Sequence, residues 1–78
     1  MPLACRLAYL LIGLVDPASQ EVKGWAHVDL AHSLGVKRRA LGEELKRLRE
    51  AGVLVTGRRR IMIKNMRALR ALAGGSVS

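Results

Sequence analysis

Between Leu34 and Ile63 the chain sets out a fixed order of local structure. Gly35 follows an apolar segment and suits a tight turn, because a left-handed backbone costs glycine little. Lys37–Ala51 then reads as a helix. Leu41, Leu45 and Leu48 form its inward stripe, and Gly52 is its stop. Val53–Thr56 and Arg60–Lys64 read as two strands joined around Gly57-Arg58-Arg59, a turn flanked by β-branched and apolar residues.

The residues before this stretch supply two more helices. Pro2 suits a first helical turn, and Leu3, Leu7, Leu10, Leu11 and Leu14 share one face of a helix that ends near Asp16-Pro17. Ile12 and Val15 widen that face. Residues 16–21 form a polar loop, and Glu21–Trp25 alternates weakly, as a short strand would. Ala26–Leu34 reads as the second helix, with Val28, Leu30, Ala31 and Leu34 apolar. After the hairpin, Asn65 can cap a last helix, Met66–Ala73, with Leu69 and Leu72 inward. The expectation is one domain over residues 1–73 and a disordered tail over 74–78. Three helices, a turn between the second and third, and a hairpin after the third make a mainly α fold with a small β-hairpin. That is the winged helix-turn-helix. A chain of 78 residues buries only about 60–65% of its unfolded surface, so its stability should be modest.

Charge divides the chain. Residues 1–35 carry two basic side chains against three acidic, a balance of −1. Residues 36–78 carry twelve against three, a balance of +9. A near-neutral half joined to a strongly basic half suggests a scaffold and a surface for a polyanion. A basic surface kept only for solubility is the competing reading. The single cysteine, Cys5, excludes an internal disulfide and fits a reducing compartment. The apolar run Leu7–Val15 is too short to span a bilayer and lacks the flanks of a signal peptide, so a cytoplasmic protein without a membrane partner is expected. His27 and His32 stand five apart, not the four that places two imidazoles on one helical turn. Scattered acids add no metal set. There is no Gly-rich phosphate loop, and no nucleophile sits beside a recognisable base. Neither an enzyme nor a cofactor-binding protein is expected.

The third helix carries the candidate reading residues. Arg39, Gly42, Glu43, Lys46 and Glu50 share the face opposite the leucine stripe. An arginine fork can grip O6 and N7 of guanine, and a glutamate can accept from the amino group of cytosine. Arg39 and Glu43 are therefore the base-reading candidates. Lys37 and Arg38, at the helix entrance, suit phosphate contacts. The competing reading of Arg39 and Glu43 is a surface i,i+4 ion pair worth about 0.3–0.5 kcal/mol. Gly42 costs a helix interior roughly 1 kcal/mol relative to alanine. Close approach to DNA, close approach to the second helix and tolerated strain all fit it. Arg58, Arg59 and Arg60 form a hairpin tip that can grip phosphate or the minor groove, or can protect a strand edge. His27 is placed equally for a phosphate contact or for solvent. Trp25 is expected as a core plug beneath the wing.

With these elements in place, the chain resembles the C-terminal DNA-binding domain of the Crp-Fnr (catabolite activator/FNR-type) transcription regulators over about residues 6–73. Arg6–Leu11 is similar to that family's first domain helix. Asp29-Leu30-Ala31-His32-Ser33-Leu34-Gly35-Val36 resembles its helix and turn, and Leu45–Leu54 its Leu-x-x-Leu-x-x-x-Gly-Leu/Ile segment. Arg60–Asn65 with Leu69 and Leu72 resembles its wing strand and closing helix. The family commonly enters the recognition helix with Ser-Arg-Glu-Thr-Val-x-Arg, where this chain has Lys37-Arg38-Arg39-Ala40-Leu41-Gly42-Glu43. Arg38 keeps the first arginine. The reading Glu and Arg have become Arg39 and Glu43, so role can carry over but base preference should not. Ala26 stands where a threonine N-cap is usual.

The resemblance implies sequence-specific binding of double-stranded DNA in a bacterial regulator, with helix 37–51 in the major groove and wing 57–60 on phosphate or the minor groove. RNA polymerase is a second candidate partner. The β-roll sensor and dimerising helix of whole family members are not expected in these residues, so a monomer or weak dimer follows and effector binding is not assigned. The alternative is a winged helix for protein interaction or assembly. It calls for an exposed apolar stripe, and none is expected outside the core. Binding of single-stranded RNA would want exposed aromatic residues, and none is expected here either.

Overall fold

A computed structural model describes residues 2–74. Helix α1 spans Leu3–Leu14, strand β1 Glu21–Lys23, helix α2 His27–Leu34 and helix α3 Arg38–Glu50. Strand β2 spans Leu54–Gly57, strand β3 Arg60–Ile63 and helix α4 Met66–Gly74. The four helices and one antiparallel sheet form the winged helix-turn-helix that the order of elements predicts. The weakly alternating segment at Glu21 does become a strand, so the hairpin is part of a three-stranded sheet in the order β1-β3-β2.

Strand β3 is central because its alternation is the cleanest. Ile61 and Ile63 are buried, and Val22 of β1 lies opposite Ile61 on the same buried face. Glycine sets the two stops around α3. Gly35 closes α2 at φ 68° and Gly52 follows α3 at φ 76°, backbone that a β-carbon would strain. The core draws at least one fully covered aliphatic side chain from every element: Leu7 and Leu11, Val22, Leu30, Leu41 and Leu45, Leu54, Ile61 and Ile63, and Leu69. Truncating one such leucine costs about 2–5 kcal/mol. For a domain this small, that is a large share of its stability.

Beyond its packing in the core, two side-chain hydrogen bonds tie α1 to other described elements. Arg6 Nη2 donates to the carbonyl of Leu34, satisfying one of the open acceptors at the C-terminus of α2. Cys5 Sγ donates to the carbonyl of Ala73, 3.5 Å away, on α4. The cysteine is half-buried and free.

Several expectations change in detail. Pro2 is the N-cap of α1, and the helix ends at Leu14 with Val15 extended, short of Asp16-Pro17. Ala26 is the N-cap of α2 and not its first residue. Its methyl group cannot accept, and Asp29 makes half of a capping box by taking the Ala26 N–H at 2.9 Å. Lys37 and Ala51 are likewise the caps of α3. Val53 and Lys64 lie outside the strands but close the hairpin, since the Val53 carbonyl accepts from the N–H of Lys64 and of Asn65. Asn65 Oδ1 takes the Ala68 N–H at 3.0 Å, the expected cap, and α4 runs one residue further, through Gly74. The rest of the expected tail, 75–78, lies outside the described residues.

One apolar residue of α2 lies outside the core, and two surface expectations are corrected. Val28 is 55% exposed, because the buried stripe of α2 is Leu30, Ala31 and Leu34 and Val28 falls off it. Tyr9 is 67% exposed, on α1 beside Arg70 and Ala73 of α4. An apolar groove of about 790 Å³ also runs between α1, the end of α3 and α4, lined by Leu3, Leu48, Val53, Ala68 and Leu72 among others. Trp25 is half-buried against the core. Among the described residues no helix is long and apolar enough to cross a membrane.

Candidate nucleic-acid interface

The arginines separated in sequence meet at one cleft. It has a volume of about 340 Å³ and lies between the start of α2, the start of α3 and the hairpin tip. Ala26, His27 and Val28 line it from α2, Arg38 from α3, and Gly57, Arg58 and Arg59 from the hairpin. Arg38, Arg58 and Arg59 are all exposed, so three basic residues border an open site. The wing tip is fixed by two features. The Arg59 carbonyl accepts the Gly24 N–H at 2.9 Å, which anchors the turn to the segment before α2. Arg59 itself has φ 51°, the left-handed region that glycine would occupy without strain.

The outer face of α3 forms a second, separate group. Arg39 and Glu43 project from it side by side, with Arg39 Nε 3.8 Å from Glu43 Oε2. Their side chains are 91% and 62% exposed, so the ion pair is formed but open to water. Lys46 follows on the same face and is exposed, as is Lys37 at the N-cap. At Gly42 a β-carbon would meet no atom within 4 Å. Glycine there is not required by contact with the second helix, which removes one of its three readings.

Arg60 stands apart from the other arginines. Its Nε lies 3.4 Å from Glu21 Oε1, and Lys23 reaches the same oxygen at 3.8 Å. Glu21 is largely covered, its side chain 12% exposed. Arg60 therefore partly neutralises an acid on the neighbouring strand, and the tip's free positive charge rests on Arg58 and Arg59.

One basic residue escaped the sequence reading. Arg49 lies about three turns after Arg38 on the same side of α3, and its Nη1 donates to Thr56 Oγ1 of β2 at 3.4 Å. The helical repeat from Arg38 was the signal that could have found it. Arg38 and Arg49 both act on His27. Burial first, and then these two guanidinium groups, hold its imidazole below the ordinary value of 6.5. Nε2 of His27 is buried with no hydrogen-bond partner among the described residues.

Comparison with known proteins places this geometry. The sequence profile of the Crp-like helix-turn-helix domain matches residues 5–72. Curated protein sequences give no match. Among solved structures, the chain is similar to a CRP-family transcriptional regulator from Thermus thermophilus. The two are 26% identical with a TM-score of 0.83, over 95% of this chain and 41% of that one. It is similar also to the catabolite activator protein of the same organism, at 26% identity and a TM-score of 0.79, over 92% of this chain and 34% of that one. A CO-dependent transcription factor from Carboxydothermus hydrogenoformans, 20% identical, has the same fold with a TM-score of 0.79, over 90% of this chain and 36% of that one. The chain thus spans less than half the length of these regulators. Since that match takes in residues 5–72, most of the chain, the chain belongs to the Crp-like helix-turn-helix domain family.

Proposed function

We propose that this domain reads double-stranded DNA in a sequence-specific manner, as the DNA-binding module of a bacterial transcription regulator. In this reading α3 lies in the major groove. Arg39 and Glu43 reach base edges, Lys46 and Gly42 face the same groove, and Lys37 and Arg38 position the helix on phosphates. Arg58 and Arg59 grip phosphate or the minor groove, with Arg60 in support. The observation that carries the reading is the meeting of Arg38, Arg58 and Arg59 at one open cleft beside the exposed face of α3. Three guanidinium groups repel one another there unless an anion lies between them.

The resemblance to regulators more than twice as long suggests further partners. RNA polymerase is one. A second half-site reader is another, because a single domain that is a monomer or weak dimer in solution binds a half-site poorly. Such a module works where chromosomal DNA is, in the bacterial cytoplasm, and needs no catalysis and no cofactor of its own. The second reading, a protein-interaction or assembly module, is favoured by the apolar groove between α1, α3 and α4. Selection from random duplex DNA separates the two. An enriched motif of a few base pairs supports the reader, and recovery of unenriched sequence overturns it. Analytical ultracentrifugation of the free domain tests the oligomeric state, and a stable dimer at micromolar concentration would contradict the monomer or weak dimer.

A further inference from the structure

We propose that His27 couples DNA binding to proton uptake: the cleft between α2, α3 and the wing tip seats one backbone phosphate, and the imidazole beside it takes a proton when that phosphate arrives. The proposal rests on the duplex-binding reading above and adds a regulation to it.

The geometry comes first. His27 lines the same cleft as Arg38, Arg58 and Arg59. At about 340 Å³ the cleft lies at the small end of the range for ligand sites, about 300–1,000 Å³. The ring is half-buried, and its Nε2 is covered with no hydrogen-bond partner among the described residues. A covered polar atom left in that state is unfavourable, and a turn of the ring toward the open cleft would let it donate to a phosphate oxygen, a strong acceptor.

The charges around the ring then set the sign. From α3, Arg38 and Arg49 face it, and from the wing Arg58 and Arg59 share its cleft. On α2 itself the nearest acid is Asp29, whose carboxylate is engaged by the Ala26 N–H. In the free domain the surroundings are thus cationic, and together with burial they hold the ring neutral below its ordinary range. A phosphate entering the cleft reverses the local field and accepts from the ring, and both effects favour the imidazolium. Drying of the cleft by the duplex acts the other way, but a direct charge-assisted hydrogen bond outweighs it. A group whose pKa rises on binding takes up a proton, so affinity increases as pH falls through that interval. One residue can change affinity by at most about tenfold per pH unit.

The test is affinity for a random-sequence duplex longer than two helical turns, at constant ionic strength, from about pH 8 to about pH 5.5. The wild-type domain should gain about threefold to tenfold across that range. His27→Gln should lose the pH-dependent gain, whatever its absolute affinity, and His27→Arg should show no gain because its charge is fixed. His32→Gln should keep the wild-type gain, since His32 lies outside the cleft. A flat wild-type profile with duplex binding intact would overturn the proposal, as would a gain that survives in His27→Gln. Absence of duplex binding at any pH would instead remove the reading on which it rests. A measurement without variants stands beside these: the His27 ring, followed by proton NMR in the wild-type domain, should titrate at higher pH with duplex than without. An equal or lower titration point with duplex bound would also overturn it.

Discussion

Glu21 Oε1 lies 3.4 Å from Arg60 Nε, and this places one arginine of the wing on the sheet instead of on a partner. The three arginines are adjacent in sequence but unequal in the fold. Arg58 and Arg59 occupy the turn, whereas Arg60 begins β3 opposite Lys23 of β1 and its side chain reaches the Glu21 carboxylate.

That inequality has a measurable consequence in salt. Neutralising about four to six phosphates gives a slope of log affinity against log salt of roughly −4 to −5. Arg58→Ala with Arg59→Ala should flatten that slope by up to about two units, whatever the DNA sequence. Arg60→Ala should flatten it by less than one full unit and should also loosen the pairing of β1 with β3. Equal flattening by Arg58→Ala and Arg60→Ala would show that the ion pair with Glu21 opens on DNA. An unchanged slope in the double variant would put the wing off the DNA.

Gly42 separates the demands of the fold from those of the ligand. It sits inside α3, where alanine is favoured by roughly 1 kcal/mol, and among the described residues no atom opposes a β-carbon there. Gly42→Ala should therefore raise stability by about 1 kcal/mol in a urea titration. If duplex affinity falls while stability rises, DNA approaches the helix closely at this position. If affinity is unchanged, the glycine is tolerated and serves neither partner.

His27 gives the free domain an acid-side weakness. Its pKa is depressed in the folded state relative to the ordinary 6.5. Above that value the ring is neutral in both states and contributes no pH dependence. As pH falls below it, the unfolded chain binds the proton first, so stability declines until the folded ring also titrates. The thermal midpoint should drop over this interval in the wild type. In His27→Gln the drop should shrink, leaving only what other groups contribute. A midpoint that rises on acidification would contradict the burial and the arginine neighbours assigned to this ring.

The sequence made some of this legible and hid the rest for physical reasons. The stops at Gly35 and Gly52 and the stripe Leu41, Leu45, Leu48 could be read because each is set by backbone geometry or helical repeat within one element. The contact of Arg6 with the Leu34 carbonyl could not, because it joins α1 to α2 across distant sequence. The pairing of Glu21 with Arg60 depends on β1 docking against β3, and three weakly alternating residues do not announce their partner. The exposure of Val28 could not be read either, because a short helix with four apolar residues leaves open which three face the core. The cleft at His27 needed three elements in place before its charges could be seen together.

In the proposed reading, specificity falls to the most exposed ion pair on α3. Arg39 Nε and Glu43 Oε2 are 3.8 Å apart on the outer face of α3, and both side chains stand largely in water. An exposed i,i+4 pair is worth only about 0.3–0.5 kcal/mol, so DNA can separate the two at little cost. Arg39 then offers a donor fork suited to guanine, and Glu43 an acceptor suited to cytosine. Arg39→Ala should cost about 1–3 kcal/mol on the preferred site and relax selectivity at one base pair. Glu43→Ala should relax a neighbouring position while strengthening nonspecific binding, because it removes a negative charge near phosphate. Lys37→Ala supplies the contrast, weakening all sequences about equally. The measurement is a binding-energy matrix for each variant against single-base-pair changes in the selected site. If Arg39→Ala lowers every sequence by the same amount, Arg39 touches phosphate, and the base-reading role of this face of α3 is lost.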